Sequence, residues 1–434
     1  MGFSRFNFKL NLIKILAIVT GLGLIQIVTI LKSTSQTFNV RSLVELYQIR
    51  DRLIAELENP STPSRPNFFS SIFSQPSPQT TASIRQNLQT IEVKIILEQR
   101  ANDNWQQAVR RARQASETAN LTNQSIATKK QAQLFWQQAL YNLKEIPQNS
   151  FQIPKATPKI QEYQRNLDIA TEELNKAKSA LLEQIANQSG LSNNVMITVC
   201  RLSRDCIHLR GNQPPKSPAS LIKLPIAVAL MQKVSEEKLS LNQEIYVKPG
   251  NYTEDASAIQ SRQSYPLKTL VEEMIDRSSN IATNELMDYL GTDYINKVLE
   301  NSGYEVTRVH SKLMGEKTMP FKVGSGPNTM TSDELTEMMV QIYNHEMPGN
   351  SVLINALSQQ YDRKLGFAAL EETAAKWLGE KTGENSLVLG TTLATNINGD
   401  GYIITVIDNQ SGSDLKIRNC IAQIADYIIR NGEI

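Results

Sequence analysis

The sequence predicts an α/β sandwich in the C-terminal half of the chain, preceded by a transmembrane helix and an all-α helical region. Three observations predict this order: an early apolar run, a Gln/Ala/Lys-rich middle with helical spacing, and strand-like runs flanked by apolar helices toward the C-terminus. We expect four segments, with bounds at residues 1–32, 33–82, 83–190 and 194–434.

The overall composition excludes some classes of function. The chain has 434 residues, of which 40% are hydrophobic, so it can bury a sizeable core. Its formal net charge of +2 leaves no basic field for binding a nucleic acid. Three cysteines and three histidines are too few and too scattered for a zinc site. We therefore expect no nucleic-acid partner, no metal and no cofactor.

The first apolar run extends from Leu10 to Leu31, long enough for a helix to cross a bilayer. Arg5, Lys9 and Lys14 place the N-terminus in the cytoplasm, although Lys32 weakens the asymmetry. The alternative is a cleaved signal peptide, but the run exceeds a usual signal core and no A-x-A-like site follows it. We expect a membrane-anchored protein with its later domains on the periplasmic or extracellular side.

Export to an oxidising compartment would allow cysteines to form disulfides. Cys200 and Cys206 flank a short polar turn and could form a disulfide, or remain two separate thiols. Cys420 lies on a helical stripe with Ile417 and Ile421, which predicts core packing.

The segment after the anchor predicts a helix and a linker. The helix is expected over residues 40–59, and a Pro/Ser-rich linker over the residues that follow, up to Ala82. Antiparallel helices are expected from Ser83 to Ser189, with breaks at 120–124 and 147–158.

These helices contain a weak internal repeat. Trp-Gln-Gln-Ala at 105–108 recurs at 136–139, with a looser copy at 163–170, which resembles a degenerate tetratricopeptide-type array. We favour the alternative of a helical spacer or coiled stalk. A protein partner for this region is a further possibility, and no chemistry is visible in it.

The C-terminal elements follow from turn signals and apolar spacing. In chain order we expect a hairpin of Val195–Arg201 and Cys206–Arg210, a helix opening in 217–226 with Pro225 in its first turn, a helix opened by the capping box Thr269–Glu272, strands at Ser386–Thr395 and Tyr402–Ile407 around a turn at 398–401, and a last helix at Asp414–Arg430.

Ser220 and Lys223 stand three positions apart at the start of the apolar helix, so hydroxyl and amine share one face. A partly desolvated lysine can lose its proton and activate a neighbouring serine. Alone, this spacing arises by chance in most chains of this size.

Two further triplets follow in order. Ser278-Ser279-Asn280 lies at a helix end, where a serine can relay a proton and an amide can hold a substrate carbonyl. Lys381-Thr382-Gly383 enters the strand-like run that begins at Ser386, and its cation and hydroxyl suit a substrate carboxylate.

The three triplets in this order resemble the serine β-lactamase and penicillin-binding-protein superfamily, and within it the class A β-lactamases. The resemblance covers 194–434. It extends to Asn280–Leu286, through Leu290-Gly291, and to Asn328–Thr331.

The resemblance implies a role for each residue. It implies Ser220 as the acylated nucleophile, Lys223 as its base and Ser278 as a proton shuttle. Asn280 would contact the substrate. Lys381 and Thr382 would bind the substrate carboxylate, and Gly383 on the same strand would also contact the substrate. The backbone N–H groups of Ser220 and Glu384 would form the oxyanion hole.

The sequence departs from the class A pattern at three places. Ser279 stands where those enzymes usually carry aspartate, and the glutamate that activates the deacylating water falls on Leu313 by simple register. Glu316 could replace that glutamate only through a remodelled loop, and His310 is a weaker candidate base. No arginine follows on the strand after Gly383, where some class A enzymes reinforce carboxylate binding.

Three functions follow for testing. The leading hypothesis is a membrane-anchored, exported serine hydrolase acylated at Ser220 by a β-lactam or related amide. The runner-up is a D-alanyl-D-alanine peptidase acting on peptidoglycan peptides, and the third is a non-catalytic scaffold with a relic hydrolase fold.

Overall fold

The structure, a computed structural model, describes residues 40–58, 78–121, 125–255 and 257–433. The anchor expected at 10–31 and most of the expected linker lie outside these residues. Among the helices that are described, none is both long and apolar enough to cross a membrane. The chain divides into two compact units, one up to Glu172 and the other Glu173–Ile434.

The first unit is helical. Its helices are α1 (Leu43–Glu58), α2 (Pro78–Ala119), α3 (Ile126–Lys144) and the first part of α4 (Ile153–Gln188). α2 therefore begins four residues before the expected end of the linker, since proline suits the first turn of a helix. Pro158 lies inside α4 rather than in a break, because a proline near a helix start removes few backbone hydrogen bonds.

Aromatic residues of the repeated motif share one core in this unit. Trp136 and Tyr163 are buried, with ring centroids 5.3 Å apart, and Trp105 packs against the same cluster. Small buried residues such as Ala108 and Ala139 let the helices approach closely. The choice between a repeat array and a spacer stays a prediction.

The second unit begins within α4. Leu182 and Ile185 of α4 are buried in the same core cluster as Ile421 and Ile424 of the last helix. The boundary therefore lies earlier than the expected residue 190, because these apolar side chains need the C-terminal core to leave water.

A five-stranded sheet organises this unit, with every neighbouring pair antiparallel, in the order β2-β1-β7-β6-β5. The strands are β1 (Met196–Arg201), β2 (Cys206–Leu209), β5 (Lys376–Glu384), β6 (Leu389–Ile397) and β7 (Asp400–Asp408), and a separate small sheet pairs β3 (Glu244–Tyr246) with β4 (Ser264–Pro266). The predicted first hairpin is confirmed, and Cys200 and Cys206 form a disulfide across it. Asn398 and Gly399, both at positive φ, make the predicted turn between β6 and β7.

Helices cover both faces of the sheet, which is the predicted sandwich. After α4, the helices of this unit are α5 (Lys223–Glu236), α6 (Leu267–Ile275), α7 (Asn280–Leu290), α8 (Thr292–Asn301), α9 (Ser332–Tyr343), α10 (Asn350–Ser358), α11 (Gly366–Leu370) and α12 (Asp414–Asn431), of which α6, α7 and α8 pack mainly on other helices. The stripe of α12 that contains Cys420 is buried, as predicted.

The predicted capping box at the start of α6 is wrong. The helix begins at Leu267, so Thr269 and Glu272 lie inside it and cap nothing. Its first N–H groups need no side-chain cap, because those of Leu267 and Lys268 donate to the backbone carbonyls of Gln243 and Leu241, both at 2.9 Å.

Candidate active site

The turn that carries Ser220 is a short 3-10 helix, Ala219–Ile222, directly before α5. Ala219 has φ +46°, a conformation that costs a non-glycine residue about 1–3 kcal/mol. Ala219, Leu221 and Ile222 are buried, whereas Ser220 is partly exposed and lines a cleft of about 880 Å³. The strained turn thus presents one hydroxyl to the cleft.

Lys223 is fully buried one turn beyond the serine. Its Nζ lies 2.8 Å from Ser220 Oγ, and it donates to Ser278 O at 2.6 Å and to Asn280 Oδ1 at 2.7 Å. Burial, and then repulsion from Lys381, hold the pKa of Lys223 well below its usual range. A lysine that gives up its proton readily can accept the proton of Ser220.

Ser278 stands at the corner between α6 and α7 with φ +57°. Its Oγ lies 3.0 Å from Lys223 Nζ and 3.1 Å from Lys381 Nζ. The hydroxyl therefore bridges two amines at the wall of the cleft, which is the position of a proton shuttle.

Lys381, Thr382 and Gly383 lie near the C-terminal end of β5, not at the entrance of the following strand as expected. Glu380 and Lys381 are both fully buried, and these charges hide β5 from a search for apolar alternation. Burial lowers the pKa of Lys381 to about 8.

Gly383 allows β5 to approach the nucleophile turn. A Cβ at this position would lie 2.9 Å from Leu221 N and 3.2 Å from Ser220 N. Glycine keeps the backbone N–H of Ser220 close to the end of β5, where Glu384 also lines the cleft. The side chain of Glu384 is exposed, so the role implied for this residue rests on its backbone.

Three arginines on the cleft wall escaped the sequence analysis. The guanidinium of Arg277 lies 4.0 Å from the ring centroid of Tyr361, and that of Arg363 lies 4.9 Å from the centroid of Phe367. Arg418 comes from α12 and lines the cleft together with Thr382, Gly383 and Glu384. Sequence spacing gave no signal for them, because only the fold brings these distant positions to one cleft.

The loop that holds Leu313 carries no carboxylate at that position. Asn284, buried on α7, accepts from Leu313 N at 2.8 Å and donates to Leu313 O at 2.9 Å. Glu316 is exposed in a turn closed by Gly315 N and Thr318 O, and neither it nor His310 is among the described residues that line the cleft. The loop therefore places a leucine at the position where the class A pattern has its water-activating glutamate.

No group of three His, Cys, Asp or Glu side chains that could hold a metal ion is present within the part of the chain that the structure describes.

A protein-family model described as the beta-lactamase enzyme family matches residues 179–431, more than half of the chain. No curated protein sequence matches the chain.

Solved structures share the fold. The acyl-enzyme complex of a PBP-A mutant with penicillin G is 22% identical, with a TM-score of 0.51 over 58% of this chain and 97% of that one. A β-lactamase from Sphaerobacter thermophilus is 18% identical, with a TM-score of 0.51 over 59% of this chain and 97% of that one. A β-lactamase from Chitinophaga pinensis is also 18% identical, with a TM-score of 0.50 over 59% and 99%. At these identities the likeness extends to the fold alone.

Proposed function

Because the chain belongs to the beta-lactamase enzyme family, we propose that it is a serine hydrolase acylated at Ser220 by β-lactams or related amides. The observation that carries the proposal is the fully buried Lys223, whose Nζ lies 2.8 Å from Ser220 Oγ and whose pKa is held low. Such an amine removes the proton that makes a serine a weak nucleophile.

In the proposed acylation, the groups around Ser220 act one after another. Lys223 takes the proton of Ser220, whose Oγ forms a bond to the amide carbon. The backbone N–H groups of Ser220 and Glu384 stabilise the oxyanion. The carbon–nitrogen bond then breaks, and the proton reaches the leaving nitrogen through Ser278 Oγ, which lies 3.0 Å from Lys223 Nζ.

Substrate is held from two sides of the cleft. Protonated Lys381 and the hydroxyl of Thr382 bind its carboxylate, and Gly383 gives it access to the edge of β5. Asn280 holds its amide.

The second candidate function is a penicillin-binding D-alanyl-D-alanine peptidase acting on peptidoglycan peptides. The specific observation in its favour is Leu313, which leaves the deacylation loop without a carboxylate at that position. A β-lactam would then form an acyl-enzyme that persists. A relic scaffold, the third candidate, has no need of the buried Lys223 and Lys381 that the site keeps.

We further propose that residues 10–31 anchor the protein and that the hydrolase unit lies on the periplasmic or extracellular side. The disulfide between Cys200 and Cys206 supports an oxidising compartment. The helical unit would act as a spacer or bind a protein partner.

A nitrocefin assay separates these candidates, with a Ser220→Ala variant as control. Sustained hydrolysis that is lost in the control supports the β-lactamase. Labelling by a fluorescent penicillin without turnover supports the penicillin-binding peptidase. If the protein shows neither hydrolysis nor labelling, only the scaffold remains.

A further inference from the structure

The start of α7 rests on a carboxylate that comes from a distant loop. Asp255 Oδ2 accepts from Ser279 Oγ at 2.9 Å and from Ile281 N at 3.0 Å. Its other oxygen, Oδ1, accepts from Ser257 Oγ at 2.6 Å and from Ser257 N at 3.0 Å. Both carboxylate oxygens are thus engaged, and one of them faces the helix.

The contact with Asp255 provides a hydrogen-bond acceptor for a backbone N–H that has no partner within the helix. The N–H of Ile281 lies in the first turn of α7 and has no partner within the helix. Ser279 is the N-cap of that helix and accepts from Ala282 N at 3.1 Å. A carboxylate beside these donors is also favoured by the dipole of the helix.

This corner of the chain carries two groups of the active site. Ser278, immediately before the cap, is held at φ +57°, and Asn280, immediately after it, contacts Lys223 at 2.7 Å. A residue in that conformation persists only where its surroundings hold it. Ser279 is fully buried, so its hydroxyl transmits the contact with Asp255 to both neighbours.

We propose that Asp255 is a positioning residue for the acylation of Ser220, supplying from another loop the carboxylate that class A enzymes carry at the position of Ser279. The carboxylate fixes the start of α7, and through it places Ser278 Oγ and Asn280 Oδ1 against Lys223. This inference rests on the proposed acylation.

The adjacent acid provides a matched control. Glu254 points to a different loop, where its carboxylate accepts from Thr318 Oγ1, from Thr318 N at 3.2 Å and from Lys317 N at 3.4 Å. Within the described part of the chain, its carboxylate makes no hydrogen bond to the start of α7. Removing the charge of Glu254 therefore shows what the loss of one acid from this segment does when the contact with α7 is kept.

The test measures the second-order rate constant for acylation of Ser220 by penicillin G in the full-length chain. We expect Asp255→Ser to lower this constant about 10- to 100-fold, because small displacements of reacting groups have effects of that size. The exchange variant Asp255→Ser/Ser279→Asp should recover most of the lost rate. Glu254→Gln should react at the wild-type rate.

A thermal unfolding curve for each variant shows whether a loss of rate comes from displaced active-site groups or from a less stable fold. If Asp255→Ser does not fold, Asp255→Asn, which keeps the size of the side chain, takes its place. An exchange variant that unfolds at the wild-type temperature but reacts no faster than Asp255→Ser would overturn the proposal, as would wild-type reactivity in Asp255→Ser. A wild-type chain that penicillin G does not acylate would instead overturn the proposed function, and with it any role for Asp255.

Discussion

Two fully buried lysines, Lys223 and Lys381, lie on either side of Ser278, and the proposed acylation makes opposite demands on them. Lys223 must be neutral to take the proton of Ser220, whereas Lys381 must be charged to hold a carboxylate. Burial lowers the pKa of both, which favours the neutral form of the first and limits the pH range in which the second is a cation. The opposite requirements predict a pH optimum.

We expect the rate of acylation by penicillin G to have a bell-shaped dependence on pH. At low pH Lys223 is protonated and cannot act as a base, so the rate rises with pH through a pKa well below that of an ordinary lysine. Above about pH 8, Lys381 loses its proton and the rate falls. Stopped-flow measurements across the pH range check this profile.

The methyl ester of penicillin G is the control for the falling limb, since it has no carboxylate for Lys381 to bind. The ester should keep the rising limb and lose the falling one. The same falling limb with both compounds would contradict the role given to Lys381.

We expect Arg418 to take the place of the arginine that is missing from the strand after Gly383. It lines the same cleft as Thr382, and we expect it to bind the substrate carboxylate. Arg418→Ala should raise the concentration of penicillin G that gives half-maximal acylation about 10- to 150-fold, since one charge-assisted hydrogen bond is worth about 1.5–3 kcal/mol. The maximal rate should stay unchanged.

A second cation of α12 provides the control for Arg418. The side chain of Lys416 packs near Gly190, away from the residues that line the cleft. If Lys416→Ala weakened penicillin G binding as much as Arg418→Ala, the effect would come from the loss of positive charge in general and not from a contact between Arg418 and the substrate carboxylate.

We expect the loop around Leu313, an element outside the acylation machinery, to decide the fate of the acyl-enzyme. It is tied to its neighbours by isolated bridges between Arg308 and Thr329 and between Ser311 and Gly324. The side chain of Asn284 holds the backbone of Leu313 on both its N–H and its C=O. These backbone contacts do not depend on the side chain at 313, although the Leu313 side chain also packs against the hydrophobic core.

Placing a carboxylate at this position should create turnover. We expect Leu313→Glu to hydrolyse penicillin G by releasing the acyl group, because a glutamate there can activate a water molecule. Intact-protein mass spectrometry would follow the decay of the acyl-enzyme. Leu313→Gln has the same length without a base and should keep the adduct, so equal decay in both variants would contradict the mechanism.

The sequence predicted those parts of the site that are close along the chain. Ser220 and Lys223 meet because three positions span one helical turn, and the strands around Asn398-Gly399 follow from a short turn signal. It missed Asp255 and Arg418, because their contacts depend on how the chain folds over a long sequence separation. β5 was placed too late because it buries charged side chains where a strand pattern requires apolar ones.

The assignment of the C-terminal part of α4 to the hydrolase unit has a consequence for the whole molecule. Leu182 is fully buried and Ile185 is 5% exposed, both in the core cluster that contains α12. Each such side chain contributes about 1.5–3 kcal/mol when buried. A hydrolase unit without them loses part of its core.

We therefore expect a chain that starts at Glu173 to be more stable than one that starts at Leu191. The difference in unfolding temperature should be several degrees, since about 1 kcal/mol shifts it by about 2–4 °C in a domain of this size. Differential scanning calorimetry of the two chains gives the comparison. Equal unfolding temperatures would show that α4 belongs to the helical unit alone.

The proposed function depends above all on the acylation of Ser220, activated by Lys223. Peptide mapping by mass spectrometry after incubation with penicillin G tests it most directly. We predict a penicilloyl group on the peptide that contains Ser220 and none on the same peptide of the Ser220→Ala variant. An unmodified wild-type protein, or an adduct that persists in Ser220→Ala, would contradict the proposed function.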